Sequence, residues 1–307
     1  MKTEYILQSL EKFYSPLQVQ DFTHIGYSDD SYVYSFTMAN APLVTKLIQD
    51  PFEREIVDTL YEHKNKNEIR FLCAPINKIN HDIYIFPKCE GGNLDVAQIK
   101  YYHDLAKDLV EAVTSLHRSG YIHGDLKPLN VCMHKGKICL IDFGTGLPLD
   151  FSDIRQMTMN SIAFSTPYQF CKKLNDKLFL DNYKIKVFDD KDFYDGLRAK
   201  FVEIKPLLLL RSKGEDPVQN DMFACGLLLA YVLSGKVNFW RGDYTPPTSE
   251  AVQDIKGMFM TMFDAVIRFM KDKEATVDAF IKTNNLDTNT ENVQIMRRLL
   301  CSYDASK

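Results

Sequence analysis

Two stretches constrain this chain more than anything else in it: "YIHGDLKPLN" at residues 121–130 and "IDFG" at 141–144. Between them, two short apolar runs flank His134-Lys135-Gly136-Lys137, the signature of a tight strand–turn–strand hairpin. The first stretch crowds a carboxylate, an ammonium and an amide (Asp125, Lys127 and Asn130) onto one loop. The second sets another carboxylate, Asp142, just beyond the return strand. Turn-rich polar segments anchored to short apolar strands are how a chain builds a site on a rigid support.

The rest of the chain divides around this feature. "SYVYSF" and "PLVTKLI" within residues 22–48 are β-branched and aromatic and read as strands, as does "HDIYIFP" at 81–87. "PFEREIVDTLYEH" at 51–63 reads as a helix with an acidic start. The glycine pair of "CEGGNLD" at 89–95 marks a turn or linker, and the boundary is expected there: residues 1–88 as a β-rich domain, 89–307 as a helical one. Leu105, Leu109, Val113 and Leu116 recur at helical spacing before Gly120. Residues 221–234 are apolar on nearly every face and predict a buried helix. Val252, Ile255, Phe259, Met262, Phe263, Val266 and Phe269 form one stripe, expected to be core. The fold class is therefore α+β, a small β-rich lobe followed by a larger helical one.

Bulk properties exclude several functions. A formal net charge of −4 gives no general attraction to nucleic acid, so no nucleic-acid partner is expected. The longest apolar run, "FACGLLLAYVL", is too short to span a bilayer, and the charged start "MKTEYILQSLEKFYS" has no signal-peptide pattern. Seven scattered cysteines without a C-x-x-C argue against a disulfide scaffold or zinc site and for a reducing compartment, the cytoplasm.

Transfer of a γ-phosphoryl group needs few parts. One carboxylate orients the attacking hydroxyl and takes its proton, while a second carboxylate and an amide hold Mg²⁺ against the phosphates. A lysine, positioned by a glutamate, holds the α/β-phosphates. "HGDLKPLN" with "IDFG" resembles the catalytic loop and metal-binding segment of eukaryotic-type protein kinases. The resemblance implies a bilobal kinase-like fold, ATP, Mg²⁺ (or Mn²⁺) and a protein substrate. It implies Asp125 as base, Lys127 beside the transferred group in the manner of Ser/Thr-directed kinases, Asn130 and Asp142 as metal ligands, and His123 as loop packing. Other segments fall in the family's order. "IGYSDDSYVY" resembles its glycine-rich loop, with Gly26, Ser28 and Ser31 at the glycine positions and Val33 at the valine. Lys46 sits where the third-strand lysine belongs, with Glu55 as its implied helix partner and Glu53 in competition. "IYIFPKCEGGNL" resembles the last strand and hinge, which sets Phe86 at the back of the nucleotide site and Pro87, Lys88 and Cys89 along the adenine. "FSTPYQF" resembles the end of an activation segment, with Thr166 near the base, and "DMFACG" implies that Asp221 bonds the catalytic-loop backbone.

The chain also departs from that pattern. Gly124 stands where the family has an arginine that meets an activation-segment phosphate, so no strong activation by phosphorylation within 145–165 is expected. Two serines replace loop glycines, and Asp29 and Asp30 occupy its tip, which implies weak ATP affinity. No Ala-Pro-Glu follows "STPYQF", and an excess of chain at about 172–215 reads either as a docking or regulatory insert or as extra helices. Three functions remain open: a Ser/Thr protein kinase, a pseudokinase serving as a scaffold, and a small-molecule kinase, since His-Gly-Asp also resembles aminoglycoside and choline kinases. A compact, divergent kinase suits a virus or a secreted effector acting in host cytoplasm.

Overall fold

A computed structural model describes residues 2–27, 31–63, 71–94, 103–150, 161–175, 191–208, 216–243 and 252–304. They fall into two compact units that are not continuous in sequence. The first comprises residues 1–97, 111–123 and 128–151; the second comprises 98–110, 124–127 and 152–307. The expected α+β class holds, with an antiparallel sheet in the N-terminal part and helices in the C-terminal part.

Period-two alternation builds the first unit. Strands β1 (Gln20–Tyr27), β2 (Ser31–Met38), β3 (Ala41–Ile48), β4 (Asn77–Lys78) and β5 (Ile83–Pro87) pair antiparallel in the order β1-β2-β3-β5-β4. Tyr34, Phe36, Leu43, Leu47, Ile83 and Ile85 are buried together with Ile6 and Leu10 of helix α1 (Lys2–Tyr14), which covers that face. Successive strand residues point to opposite faces. The cross-strand row Gly26, Val33, Lys46 and Tyr84, with Phe86 two residues on from Tyr84, therefore belongs to the other face. The β2–β3 turn uses Ala39 and Asn40 at φ 48° and 63°, the left-handed pair that a two-residue hairpin demands.

Helix α2 (Pro51–His63) starts where the Asp50 carboxylate accepts the Glu53 N–H at 2.7 Å. Its buried positions are Glu53, Ile56, Val57 and Leu60, a stripe of one helical face. Helix α3 (Leu105–Arg118) ends at Gly120, φ 91°. Beyond it, β6 (Tyr121–Ile122) pairs with β9 (Leu147–Pro148), and β7 (Val131–His134) with β8 (Lys137–Leu140). Lys135 and Gly136 make the β7–β8 turn at φ 50° and 71°, as the hairpin signal predicts. Cys89 and Cys132 are joined as a disulfide, 43 residues apart, a pairing no local spacing announces.

The second unit is helical: α4 (Pro167–Asn175), α5 (Lys191–Leu208), α6 (Pro217–Leu233), α7 (Val252–Lys271), α8 (Lys273–Thr283) and α9 (Glu291–Cys301). Helix α6 is buried along most of its length, and Gly235 at φ 75° follows its end. Gly226 permits close packing, because a Cβ there would lie about 3.0 Å from Leu300 Cδ2 of α9. Five residues of the α7 stripe are core as expected, Phe259, Met262, Phe263, Val266 and Phe269 being fully buried, while the side chains of Val252 and Ile255 lie outside the described residues. Phe269 meets Phe223, Trp240 and Tyr303 in an aromatic cluster. Part of the 172–215 excess is helix α5, tied to α7 by Lys200–Asp264 and Lys271–Glu203 ion pairs. Among the described residues no helix is long and apolar enough to cross a membrane.

Candidate active site

The first unit gathers three of the expected side chains. Lys46 is on β3, Glu53 on the buried stripe of α2, and Asp142 on the segment after β8. Lys46 Nζ donates to Glu53 Oε1 and, at 3.0 Å, to Asp142 Oδ1. The side chains of Lys46 and Glu53 are 11% and 3% exposed, while that of Asp142 is 53% exposed. Burial works against the Lys46 ammonium, but the Asp142 and Glu53 charges outweigh it and hold its pKa above the ordinary lysine value. Burial pushes the Glu53 carboxyl up, against the downward pull of Lys46.

Glu53, not Glu55, is thus the partner of Lys46, which corrects the expectation for α2. Two residues along a helix is a turn of about 200°, so Glu55 faces away, exposed. Its carboxylate accepts instead from the Tyr121 hydroxyl at 3.0 Å.

Asp142 holds φ 63°, a left-handed backbone uncommon outside glycine and often found where geometry serves a site. Neighbouring groups fix it. The His123 ring, fully buried, donates Nε2–H to the Ile141 carbonyl at 3.1 Å and packs beside Phe143. Thr145 donates its hydroxyl proton to the His123 carbonyl at 3.0 Å. The expected packing role of His123 is seen directly. Asn130 closes a turn of 3-10 helix at Pro128–Asn130, is buried, and its carbonyl accepts the Ile141 N–H at 2.9 Å. The backbones that carry Asn130 and Asp142 are thereby fixed to adjacent strands.

Gly26 and Val33 sit opposite each other on β1 and β2, Val33 opposite Lys46, and Ser31 begins β2, buried. Ser28, Asp29 and Asp30 lie outside the described residues. Phe86 is half-buried on β5. The Lys88 N–H donates to the Pro42 carbonyl at 3.3 Å, and the Cys89 sulfur is bonded to Cys132.

The second unit holds the remaining group. Asp125 Oδ1 accepts the Ser161 backbone N–H at 2.8 Å, and Lys127 Nζ donates to Asp125 Oδ2. The Asp125 and Lys127 side chains are 10% and 26% exposed. Gly124 donates its N–H to Asp221 Oδ1 at 3.0 Å, the bond expected of Asp221. Asp221 lies inside α6; the N-cap is Asp216, whose carboxylate accepts from Val218 and Gln219 N–H. Gly124 itself adopts φ 77°, a conformation that an arginine would strain to reach.

Thr166, expected beside the base, serves as the N-cap of α4. Its hydroxyl accepts the Gln169 N–H, and Gln169 Oε1 accepts the Thr166 N–H, both at 3.2 Å. "TPYQ" is the capping-box pattern, a signal in the sequence that points to this role. Ser161, which no motif singled out, supplies the backbone contact to Asp125.

A family model for the RIO domain matches residues 79–160, the span containing both loop motifs. The mouse hormonally up-regulated neu tumor-associated kinase is 30% identical over 209 residues, 66% of this chain and 27% of the relative. The Arabidopsis thaliana serine/threonine-protein kinase PEPKR2 is 25% identical over 181 residues, 56% and 29% respectively. The Saccharomyces cerevisiae serine/threonine-protein kinase PKH1 is 44% identical over 185 residues, 59% and 20%. The chain spans less than a third of the length of these curated relatives.

Proposed function

We infer that this chain, a member of the protein-kinase superfamily, transfers the γ-phosphoryl group of ATP to Ser or Thr hydroxyls of a protein substrate. The observation that carries the reading is Lys46 bonded to both Glu53 and Asp142. A surface lysine gains nothing from such burial, whereas a phosphate-binding ammonium needs a fixed direction.

In this reading Lys46 takes the α/β-phosphates and Glu53 orients it. Asp142 and Asn130 present oxygen donors, the chemistry a hard divalent ion selects. Mg²⁺ commonly takes one or two protein carboxylates and leaves its other positions to phosphate and water. The donors fit that habit, because the Asp142 side chain is half exposed and leaves room for phosphate and water. Mg²⁺, or Mn²⁺ in its place, would neutralise charge on the phosphates. Asp125 accepts the substrate hydroxyl proton, the Ser161 N–H orients its carboxylate, and Lys127 offsets charge on the transferred group. The cytoplasm, where ATP and protein substrates meet, is the compartment proposed.

The test is transfer of radiolabelled γ-phosphate from Mg·ATP to the protein itself and to a generic basic protein, beside Asp125→Ala and Asp142→Asn. Labelling lost in both variants, on phosphoserine or phosphothreonine, is expected. Label on tyrosine overturns the specificity, and transfer only to small alcohols overturns the substrate class. Nucleotide binding without transfer moves the reading to a scaffold.

A further inference from the structure

Four of the seven cysteines converge in the first unit. Cys73, Cys132 and Cys139 are buried together, and Cys89, Phe86 and Ile141 pack against them. Cys132 and Cys139 face each other across β7 and β8. Cys89 and Cys132 are bonded, with Cα atoms 6.3 Å apart, inside the range a disulfide spans without backbone movement. Cys73 and Cys139 remain thiols.

The surroundings give the two pairs different chemistry. Cys89 is partly exposed, whereas Cys73, Cys132 and Cys139 are at most 6% exposed. A solvent oxidant therefore reaches Cys89 first. The Cys139 thiol is pushed well above the ordinary value by its hydrogen bond with the Cys73 thiol and by burial, so it stays protonated and a poor nucleophile. Backbone bonds bring the two segments into register, and the bridge adds a covalent tie at Cys89. Gly91 N–H donates to the Met133 carbonyl at 3.1 Å, Met133 N–H to Gly92 at 2.9 Å, and Leu94 N–H to Val131 at 2.8 Å. The Glu90 carboxylate also meets His134 Nδ1 at 2.8 Å. Opening the bridge leaves the sulfurs apposed, which favours its re-formation.

We propose that Cys89 and Cys132 are a reversible redox-modification site, closed by a peroxide and opened by a dithiol, that sets how firmly the neighbouring segment holds a nucleotide. The Cys89 thiolate attacks one peroxide oxygen; the O–O bond breaks, hydroxide leaves, and Cys89 becomes a sulfenic acid. Cys132 then attacks the Cys89 sulfur, the S–S bond forms, and the S–O bond breaks. The leaving hydroxide takes up the Cys132 proton as water. Two thiols and hydrogen peroxide give one disulfide and two waters. The effect on nucleotide rests on the proposed ATP site, since Phe86 packs on this cluster and Cys89 belongs to the segment assigned to the adenine. The bridged segment is pre-organised, so the oxidised form binds tighter.

The test uses the full chain, cycled between hydrogen peroxide and dithiothreitol, with free thiols alkylated and cross-linked peptides mapped by mass spectrometry. A fluorescent ATP analogue with Mg²⁺ is titrated in each state. One cross-link, Cys89–Cys132, is expected to appear and disappear, to survive Cys73→Ser and to be lost in Cys89→Ser. The oxidised form is expected to bind the analogue about fivefold tighter or more. A cross-link through Cys73 or Cys139, or none, overturns the site. Equal affinity in both states overturns its control of nucleotide. Binding in neither state, with the cross-link cycling, overturns the ATP reading and leaves the redox site standing.

Discussion

The two charged clusters are held by different means. The Lys46 cluster is made wholly of side chains, one ammonium between two carboxylates, brought together by a strand, a helix and a loop of the first unit. The Asp125 cluster belongs to the second unit and leans on the backbone: a Ser161 N–H on one oxygen and a lysine two residues away on the other. The contrast teaches where stability and chemistry are coupled. A buried ion pair is part of the fold as well as of the site, so removing one member leaves a charge without compensation. A loop carboxylate with a backbone donor can change its chemistry while an isostere keeps that backbone bond and gives up only the Lys127 contact.

The largest expected effect is therefore a rate effect without a stability effect. Asp125→Asn keeps an oxygen for the Ser161 N–H but cannot take a proton. Phosphoryl transfer should fall by about 10²–10⁴, with a melting curve lowered only by the lost Lys127 contact; a loss of stability as large as that of Lys46→Met would erase the distinction. Lys46→Met should do the opposite of sparing the fold. With the cation gone, buried Glu53 and nearby Asp142 repel, at a cost of about 3–5 kcal/mol near neutral pH. The pH dependence has a definite sign. Burial already raises the Glu53 pKa in the folded state, and losing Lys46 raises it further. Between the unfolded and folded values the folded chain binds more protons, so stability falls as pH rises through that window and returns on acidification. Melting temperature against pH for Lys46→Met, beside a flat difference for Asp125→Asn, would separate the clusters.

Much of this was legible in the sequence and some was not, for identifiable reasons. The loop motifs specify local chain geometry, so the Asp221 bond to the Gly124 N–H and the seating of Asn130 and Asp142 beside the β7–β8 hairpin could be read without tertiary knowledge. The choice between Glu53 and Glu55 needed the phase of α2. Ile56, Val57 and Leu60 mark its buried stripe, and Glu53 lies on it at i−3, i−4 and i−7. The Cys89–Cys132 pairing had no local signal, because only folding brings residues 43 apart together. The left-handed turn at Gly124 was hidden as well, so the missing arginine read as a lost phosphate ligand when backbone geometry favours glycine there. The helix phase gives the next expectation. Glu53→Gln should lower turnover about tenfold or more by loosening Lys46, while Glu55→Gln, which faces away from Lys46 and keeps an oxygen for the Tyr121 hydroxyl, should stay within about twofold. Equal effects from the two would return Glu55 to the site.

The smallest effect tests a residue expected beside the base whose hydroxyl also caps a helix. A hydroxyl serving the chemistry and a hydroxyl capping a helix are both removed by Thr166→Ala, but the losses appear in different measurements. The cap consists of two reciprocal bonds with Gln169, and both groups are buried. Loss of such a cap costs about 1 kcal/mol, which lowers the melting temperature by about 2 °C in a chain of this size. Thr166→Ser keeps the bond and should restore stability. If the hydroxyl acted on the phosphoryl acceptor instead, turnover would fall about a hundredfold at unchanged melting temperature. Steady-state kinetics on Thr166→Ala, run below its melting transition, therefore decides whether α4 begins at a cap that supports the Asp125 cluster or at a member of it. The capping geometry makes the first outcome the expected one, with kcat within about twofold of the unmodified chain, since a cap acts on the reaction only through the helix it holds.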